Sequence, residues 1–150
     1  MGHTYHCHYT HVVFAVKDRM PLLSTDIRER LYPYLFGIAR EHESTLKIAG
    51  GTTDHVHLLV SFPPKIALAD LVREVKAGSS RWIHDTFSNV PGFSWQEGYG
   101  AFSVSFSNLE AVRRYIENQE EHHRKQTAAE EFIALLKKHG IPFDERYLWK

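Results

Sequence analysis

His55-Val56-His57-Leu58-Leu59-Val60-Ser61-Phe62 is the stretch on which the fold turns. It is rich in aliphatic and β-branched residues. The turn signal Gly50-Gly51 lies upstream and Pro63-Pro64 closes it downstream, so it reads as a strand. Side chains two apart in a strand share a face, so His55 and His57 project side by side while Val56 points into the opposite layer.

Upstream of Gly50-Gly51 the segment Leu46–Ala49 reads as a short strand. Before it, Ser24-Thr25-Asp26 offers N-caps for a helix running to about Glu43, with Ile27, Leu31, Leu35 and Ile38 at helical spacing. The first strand is expected over Cys7–Val16, where Val12, Phe14 and Val16 alternate with His11, Val13 and Ala15. Downstream, Ala67–Phe87 reads as a second helix and Tyr99–Phe106 as a last strand. Ser107 with Glu110 three residues on resembles a capping box, opening a helix expected to continue through about Arg124. A further helix is expected over Ala128–His139, ending at Gly140-Ile141-Pro142, and the aromatic tail (Phe143, Tyr147, Trp149) is expected to pack.

The order strand, helix, strand, strand, helix, strand, then two helices predicts an α+β fold. It is the ferredoxin-like βαββαβ arrangement, one antiparallel sheet with helices on one face plus C-terminal helices. At 150 residues, with no repeat or linker, residues 1–150 are expected to form one domain. That architecture serves many chemistries, so function must come from particular residues.

Bulk composition excludes more than it proposes. With 43% hydrophobic and 24% charged residues the chain reads as an ordinary globular protein, and no apolar run approaches the ~20 residues of a membrane span. The N-terminus carries no signal-peptide pattern, and the lone Cys7 suits a reducing compartment, so a cytoplasmic location is expected. Lys+Arg and Asp+Glu are both 18, so net charge gives no support for a nucleic-acid partner, and any such surface must be local. The compositional oddity is 11 histidines.

Two imidazoles on one strand face make a bidentate start to a metal site, which needs a third ligand from elsewhere. The second pattern is Val112-Arg113-Arg114-Tyr115-Ile116-Glu117-Asn118-Gln119, where Tyr115 and Gln119 stand one helical turn apart on one face. A phenol there could face the metal while the Gln119 carbonyl oxygen completes the coordination, and a tyrosine oxygen near a cation is a competent nucleophile. Alone, each pattern is more often packing than chemistry.

Together, in this order and at this length, they resemble the small single-tyrosine HUH transposases of bacterial insertion sequences and the related REP-associated tyrosine transposases. The resemblance runs from Tyr9-Thr10-His11-Val12-Val13-Phe14, with Lys17 and Arg19, through Asp54-His55-Val56-His57-Leu58-Leu59-Val60. It continues through Trp95-Gln96-Glu97-Gly98-Tyr99 to Tyr115-Ile116-Glu117-Asn118-Gln119. It implies a homodimer that cleaves and rejoins single-stranded DNA near hairpins at mobile-element ends, with Mg²⁺ or Mn²⁺ held by His55, His57 and Gln119. Tyr115 is the implied nucleophile, forming a 5′-phosphotyrosine link with no nucleotide cofactor. Whether Tyr115 serves its own subunit's metal or the partner's stays open. Two imidazoles lean toward Mn²⁺, since hard Mg²⁺ prefers oxygen.

Candidate DNA contacts are Lys76 and Arg81 on the second helix, Lys17 and Arg19 after the first strand, and Arg114 beside the tyrosine. Each equally fits a solvated face, and Arg113 and Arg114 equally fit pairs with Glu110 or Glu117. His122 is an alternative third ligand, Tyr99 a competing nucleophile, and Asp54 and Glu117 are candidate partners for a metal-bound histidine. Rival readings are a domesticated relative that processes chromosomal repeat hairpins, a catalytically silent nucleic-acid-binding module, and a structural metal protein.

Overall fold

The computed structural model describes residues 2–149. Strands β1 (Tyr9–Ala15), β2 (Thr45–Gly51), β3 (His55–Ser61) and β4 (Gly100–Val104) form one antiparallel sheet of order β2-β3-β1-β4. Helix α1 (Thr25–Glu41) joins β1 to β2, and α2 (Leu68–Thr86) joins β3 to β4. This is the expected βαββαβ order, followed by α3 (Leu109–Glu117), the single turn α4 (Gln119–His122) and α5 (Ala128–Lys138).

Alternation sorts the central strands onto two layers. Val12, Phe14 and Val16 join Val56, Leu58 and Val60 in a core with Leu31, Leu35, Ile38, Leu71, Val75 and Ile83 from α1 and α2. On the other face Val13 and Phe102 pack against Phe132 and Leu136 of α5. Both faces are therefore covered, and β3 is buried along its first six residues. The histidines of β3 lie beneath the C-terminal helices.

Three local expectations are corrected. Gly50 and Gly51 do not make a turn; they are the last two residues of β2, paired with His57 and Val56. A Cβ on Gly50 would stand 2.2 Å from the Ile116 carbonyl oxygen, so glycine is needed there because α3 lies directly on the strand. The reversal falls on the next three residues, closed by Thr52 N–H donating to the His55 carbonyl at 3.0 Å.

The helix expected to open at the Ser107 capping box and continue through about Arg124 breaks at Asn118 (φ −100°, ψ 27°). There the Gln119 side-chain amide donates to the Tyr115 carbonyl at 3.1 Å, a carbonyl that an unbroken helix would offer to the Gln119 backbone N–H. Arg28, buried on α1, donates to Glu120 at 2.6 Å and ties the short α4 to the start of α1. Ser107 does not cap α3. The chain enters through a 3₁₀ turn at Phe106–Asn108, and Asn108 holds the N-cap position without a side-chain cap bond. Ser24 and Thr127 do cap α1 and α5. In the aromatic tail Phe143 and Trp149 pack as expected, Trp149 5.3 Å from Phe132 with Arg19 over its ring at 5.0 Å, whereas Tyr147 is exposed.

Candidate metal centre and tyrosine

His55 and His57 come from successive positions on the α5-facing side of β3 and are 1% and 0% exposed. Asp54, just before the strand, fixes the first: its Oδ1 lies 2.6 Å from His55 Nδ1 and also accepts from Thr52 Oγ1 at 3.1 Å. A carboxylate there holds the proton on Nδ1 and leaves Nε2 facing inward, where it can serve as a ligand once it gives up its own proton. Among the described residues, His55 Nε2 is a buried nitrogen with no hydrogen-bond partner. His57 is held through its Nδ1, 2.8 Å from His11 Nε2 on β1.

Glu131 of α5 occupies the space these rings face. Its Oε1 lies 2.8 Å from His57 Nε2, 3.2 Å from His123 Nε2 and 3.5 Å from His55 Nε2. Its Oε2 accepts a short hydrogen bond from the Tyr115 hydroxyl. His55, His57, His123 and Glu131 each offer a ligand atom within 4.8 Å of the others. Atoms around an ion bound at about 2.1 Å lie roughly 3–3.4 Å apart, so these residues could hold a divalent cation. An unpartnered buried nitrogen aimed at such a cluster fits the same reading.

Electrostatics sets the protonation. Burial opposes a charge on His55, but the Asp54 and Glu131 carboxylates outweigh it and hold its pKa up at about 9. Burial pushes His57 down to about 4 despite Glu131, and burial with His57 alongside takes His11 to about 3. Burial would raise Glu131, yet the imidazoles of His123, His55 and His57 around it hold it far below the usual carboxylate range. Tyr115 is pushed up by burial and then by Glu131. A cation in the cluster would oppose both effects on the phenol.

The structure thus brings Tyr115, His55 and His57 together in one chain; the Tyr115 and His57 ring centroids are 5.9 Å apart. Gln119 is buried at the rim, with Oε1 3.1 Å from His123 Nε2. His122, the alternative third ligand, lies farther out, 2.8 Å from Gln126 Oε1 and 3.4 Å from the Tyr115 hydroxyl. Tyr99 is half exposed and faces Lys76 instead.

The candidate DNA contacts do not gather into one patch. Lys76 donates to the carbonyls of Gln96, Glu97 and Gly98 at 2.9, 3.2 and 2.6 Å, a structural clip that burial accompanies by lowering its pKa to about 8. Arg114 pairs with Glu110 at 3.5 Å and Arg81 is exposed. Lys17 lines a cleft of about 390 Å³ with Trp95 and Trp149, and Arg19 sits over the Trp149 ring.

A sequence model of the family described as "Transposase IS200 like" matches residues 3–119. The chain belongs to that family. The IS200-like transposase is 28% identical over 123 residues to the ISDra2 transposase TnpA of Deinococcus radiodurans, covering 79% of this chain and 87% of that one. It is 26% identical over 126 residues to the transposase for insertion sequence element IS200 of Salmonella typhimurium, covering 79% and 81%. A crystal structure of a Deinococcus radiodurans R1 protein assigned as a transposase superposes with TM-score 0.65 at 27% identity, over 79% of this chain and 96% of that one. The REP-associated tyrosine transposase bound to a REP hairpin shares the fold, with TM-score 0.55 at 14% identity over 83% and 74%.

Glu131 and His123 were not singled out by the sequence as ligands, and Glu131 lies outside the matched segment. A signal did exist for the glutamate. On α5 it falls on the stripe that also carries Leu135 and Leu136, where a charge must have a partner.

Proposed function

We propose that this transposase cuts and rejoins single-stranded DNA at the ends of a mobile element, with Tyr115 as nucleophile. The observation that carries the reading is that the Tyr115 hydroxyl and the imidazoles of His55 and His57 surround one buried carboxylate within a single chain. His55 and His57 with Gln119 at the rim would hold the cation, Mn²⁺ in preference to Mg²⁺ on such a nitrogen-rich set. When bound, a divalent cation would act as a Lewis acid toward the scissile phosphate.

The chain's own residues do the rest. Tyr115 Oη forms a bond to phosphorus as the P–O3′ bond breaks; the proton lost by the phenol is balanced by the one gained at the 3′ oxygen. The product is a 5′-phosphotyrosine with a free 3′-hydroxyl. Attack by another 3′-hydroxyl reverses the step and joins strands, so no nucleotide cofactor is required. Asp54 and His11 keep the two imidazoles oriented.

An open cavity of about 390 Å³ beside Tyr115, lined by Phe102, Leu135, Lys138 and His122, offers room for a nucleotide. The nearness of Tyr115 to His57 in the same chain supports action in cis, with a homodimer carrying two such sites. A DNA hairpin near the element end would be held at separate points, at Lys17 with Arg19, at Arg81 and at Arg114, with Lys76 holding the loop of Gln96, Glu97 and Gly98.

The test is incubation of the full chain with Mn²⁺ and a single-stranded oligonucleotide taken from the DNA flanking its gene. A covalent adduct is expected with the natural chain and none with Tyr115→Phe or with His55→Ala, His57→Ala. An adduct of equal yield in Tyr115→Phe would remove the tyrosine from the mechanism.

A further inference from the structure

We propose that Glu131 is a bridging residue of the active centre, binding the divalent cation through Oε1 and holding the Tyr115 hydroxyl through Oε2. This rests on the reading of Tyr115 as nucleophile, and it assigns a role to a helix beyond the segment the family shares.

The geometry is carried by independent contacts. Oε1 is the point on which the Nε2 atoms of His57, His123 and His55 converge, at 2.8, 3.2 and 3.5 Å. Those spacings suit neighbouring ligands of one ion. His55 Nε2 is buried and unpartnered, as a nitrogen whose partner is an ion would be. Oε2 meanwhile accepts from the Tyr115 hydroxyl, and Glu131 is 2% exposed, so water does not compete for either oxygen.

A buried carboxylate with this many donors is costly to place unless all of its lone pairs are used. A hydrogen bond from the phenol to Oε2 restrains the Tyr115 side-chain torsions, so the hydroxyl stays beside the ligand atoms instead of sampling the open cavity next to it. His123 belongs to the same set: its Nε2 lies between Glu131 Oε1 at 3.2 Å and Gln119 Oε1 at 3.1 Å, linking the rim amide to the cluster. The fit also accounts for the position of α5, whose Phe132 and Leu136 clamp the helix on β4 and β1 one step from the carboxylate.

Glu131→Gln, close in shape but lacking the charge, is the deciding variant. Titration of the full chain with Mn²⁺ alone is expected to show at least a tenfold loss of affinity, whereas Tyr115→Phe stays within twofold of the natural chain. Adduct formation by Glu131→Gln is expected to fall at least tenfold at saturating Mn²⁺, with binding of the same oligonucleotide unchanged. Natural Mn²⁺ affinity in Glu131→Gln would overturn the proposal. So would an adduct forming as fast or faster, since that would mean the carboxylate occupies the place of the scissile phosphate. If Glu131→Gln does not fold, Glu131→Asp, which withdraws the charge by one methylene, is expected to show both losses, and natural values for it would be equally fatal. Failure of Tyr115→Phe to abolish the adduct is a separate result, which would leave the Mn²⁺ measurements standing.

Discussion

His11 Nε2 lies 2.8 Å from His57 Nδ1, joining neighbouring strands across a fully buried face. The contact fixes the His57 plane, and the tautomer of His57 follows from which ring carries the shared proton. With the proton on His57 Nδ1, Nε2 is a free lone pair; with it on Nε2, His57 donates to Glu131. Replacement by His11→Ala is expected to weaken Mn²⁺ binding about 10- to 100-fold, the usual loss when the partner of a ligating histidine is removed. Calorimetric titration checks it, and unchanged affinity would show that β3 alone orients the ring.

The metal-free protein should be most stable near pH 6.5. His57 and His11 are held neutral, at about 4 and about 3, so below 6.5 the unfolded chain binds more protons and stability falls as pH drops. Glu131 and Asp54, both lowered, act in the same direction below about 4.5. His55 works oppositely: raised to about 9, its contribution is complete below 6.5 and is lost as pH climbs through 9. Each such histidine tilts the curve by up to about 1.4 kcal/mol per pH unit. Urea midpoints measured from pH 4 to 8 in chelator, below the range where Lys76 (lowered to about 8) begins to act oppositely, should trace that dome, and a flat profile would contradict it.

Gly50→Ala should destabilise by roughly 1–3 kcal/mol or more, because its Cβ would meet the Ile116 carbonyl at 2.2 Å and α3 cannot retreat without moving Tyr115. Gly37→Ala, on α1 with nothing within 4 Å of the new carbon, should instead stabilise by about 0.5–1 kcal/mol. Thermal melts of the pair separate close approach from glycine's general effect on a helix. The Gly50 variant should also lose adduct formation out of proportion to its melting point.

Lys76→Met should cost about 1–3 kcal/mol, since the carbonyls of Gln96, Glu97 and Gly98 lose a shared donor. The same loop places Gln96 Oε1 2.6 Å from the Ala15 N–H at the end of β1, so disorder there would reach the sheet. If Lys76 instead mainly serves DNA, the variant will melt normally and bind the oligonucleotide more weakly.

The sheet was readable because its signal is local. Val56, Leu58 and Val60 alternate with His55 and His57, and period two fixes which set meets α1 and α2. Tyr115 and Gln119 were visible as a helical pair for the same reason. What stayed hidden depends on contacts between distant segments. Gly50 looks like a turn residue until α3 is seen lying on it. The break at Asn118 follows from a side chain taking over a backbone acceptor and from Arg28 gripping Glu120, and no window of sequence contains both. Glu131 sits in Ala128-Ala129-Glu130-Glu131, which reads as the acidic first turn of a capped helix. Only the placement of α5 over β1 and β3 turns its second glutamate inward.

The family match ends at residue 119, yet the folded unit does not. A shortened version cut at that boundary would keep the matched strands, both β3 histidines and Tyr115. It would also strip Phe132 and Leu136 from Val13 and Phe102 and open His11 and His57 to water. Such a truncation should be sticky and poorly soluble, with an apolar sheet face bared. A shortened version meant to keep the site intact should therefore retain α5 and the tail through Trp149, which packs on Phe132.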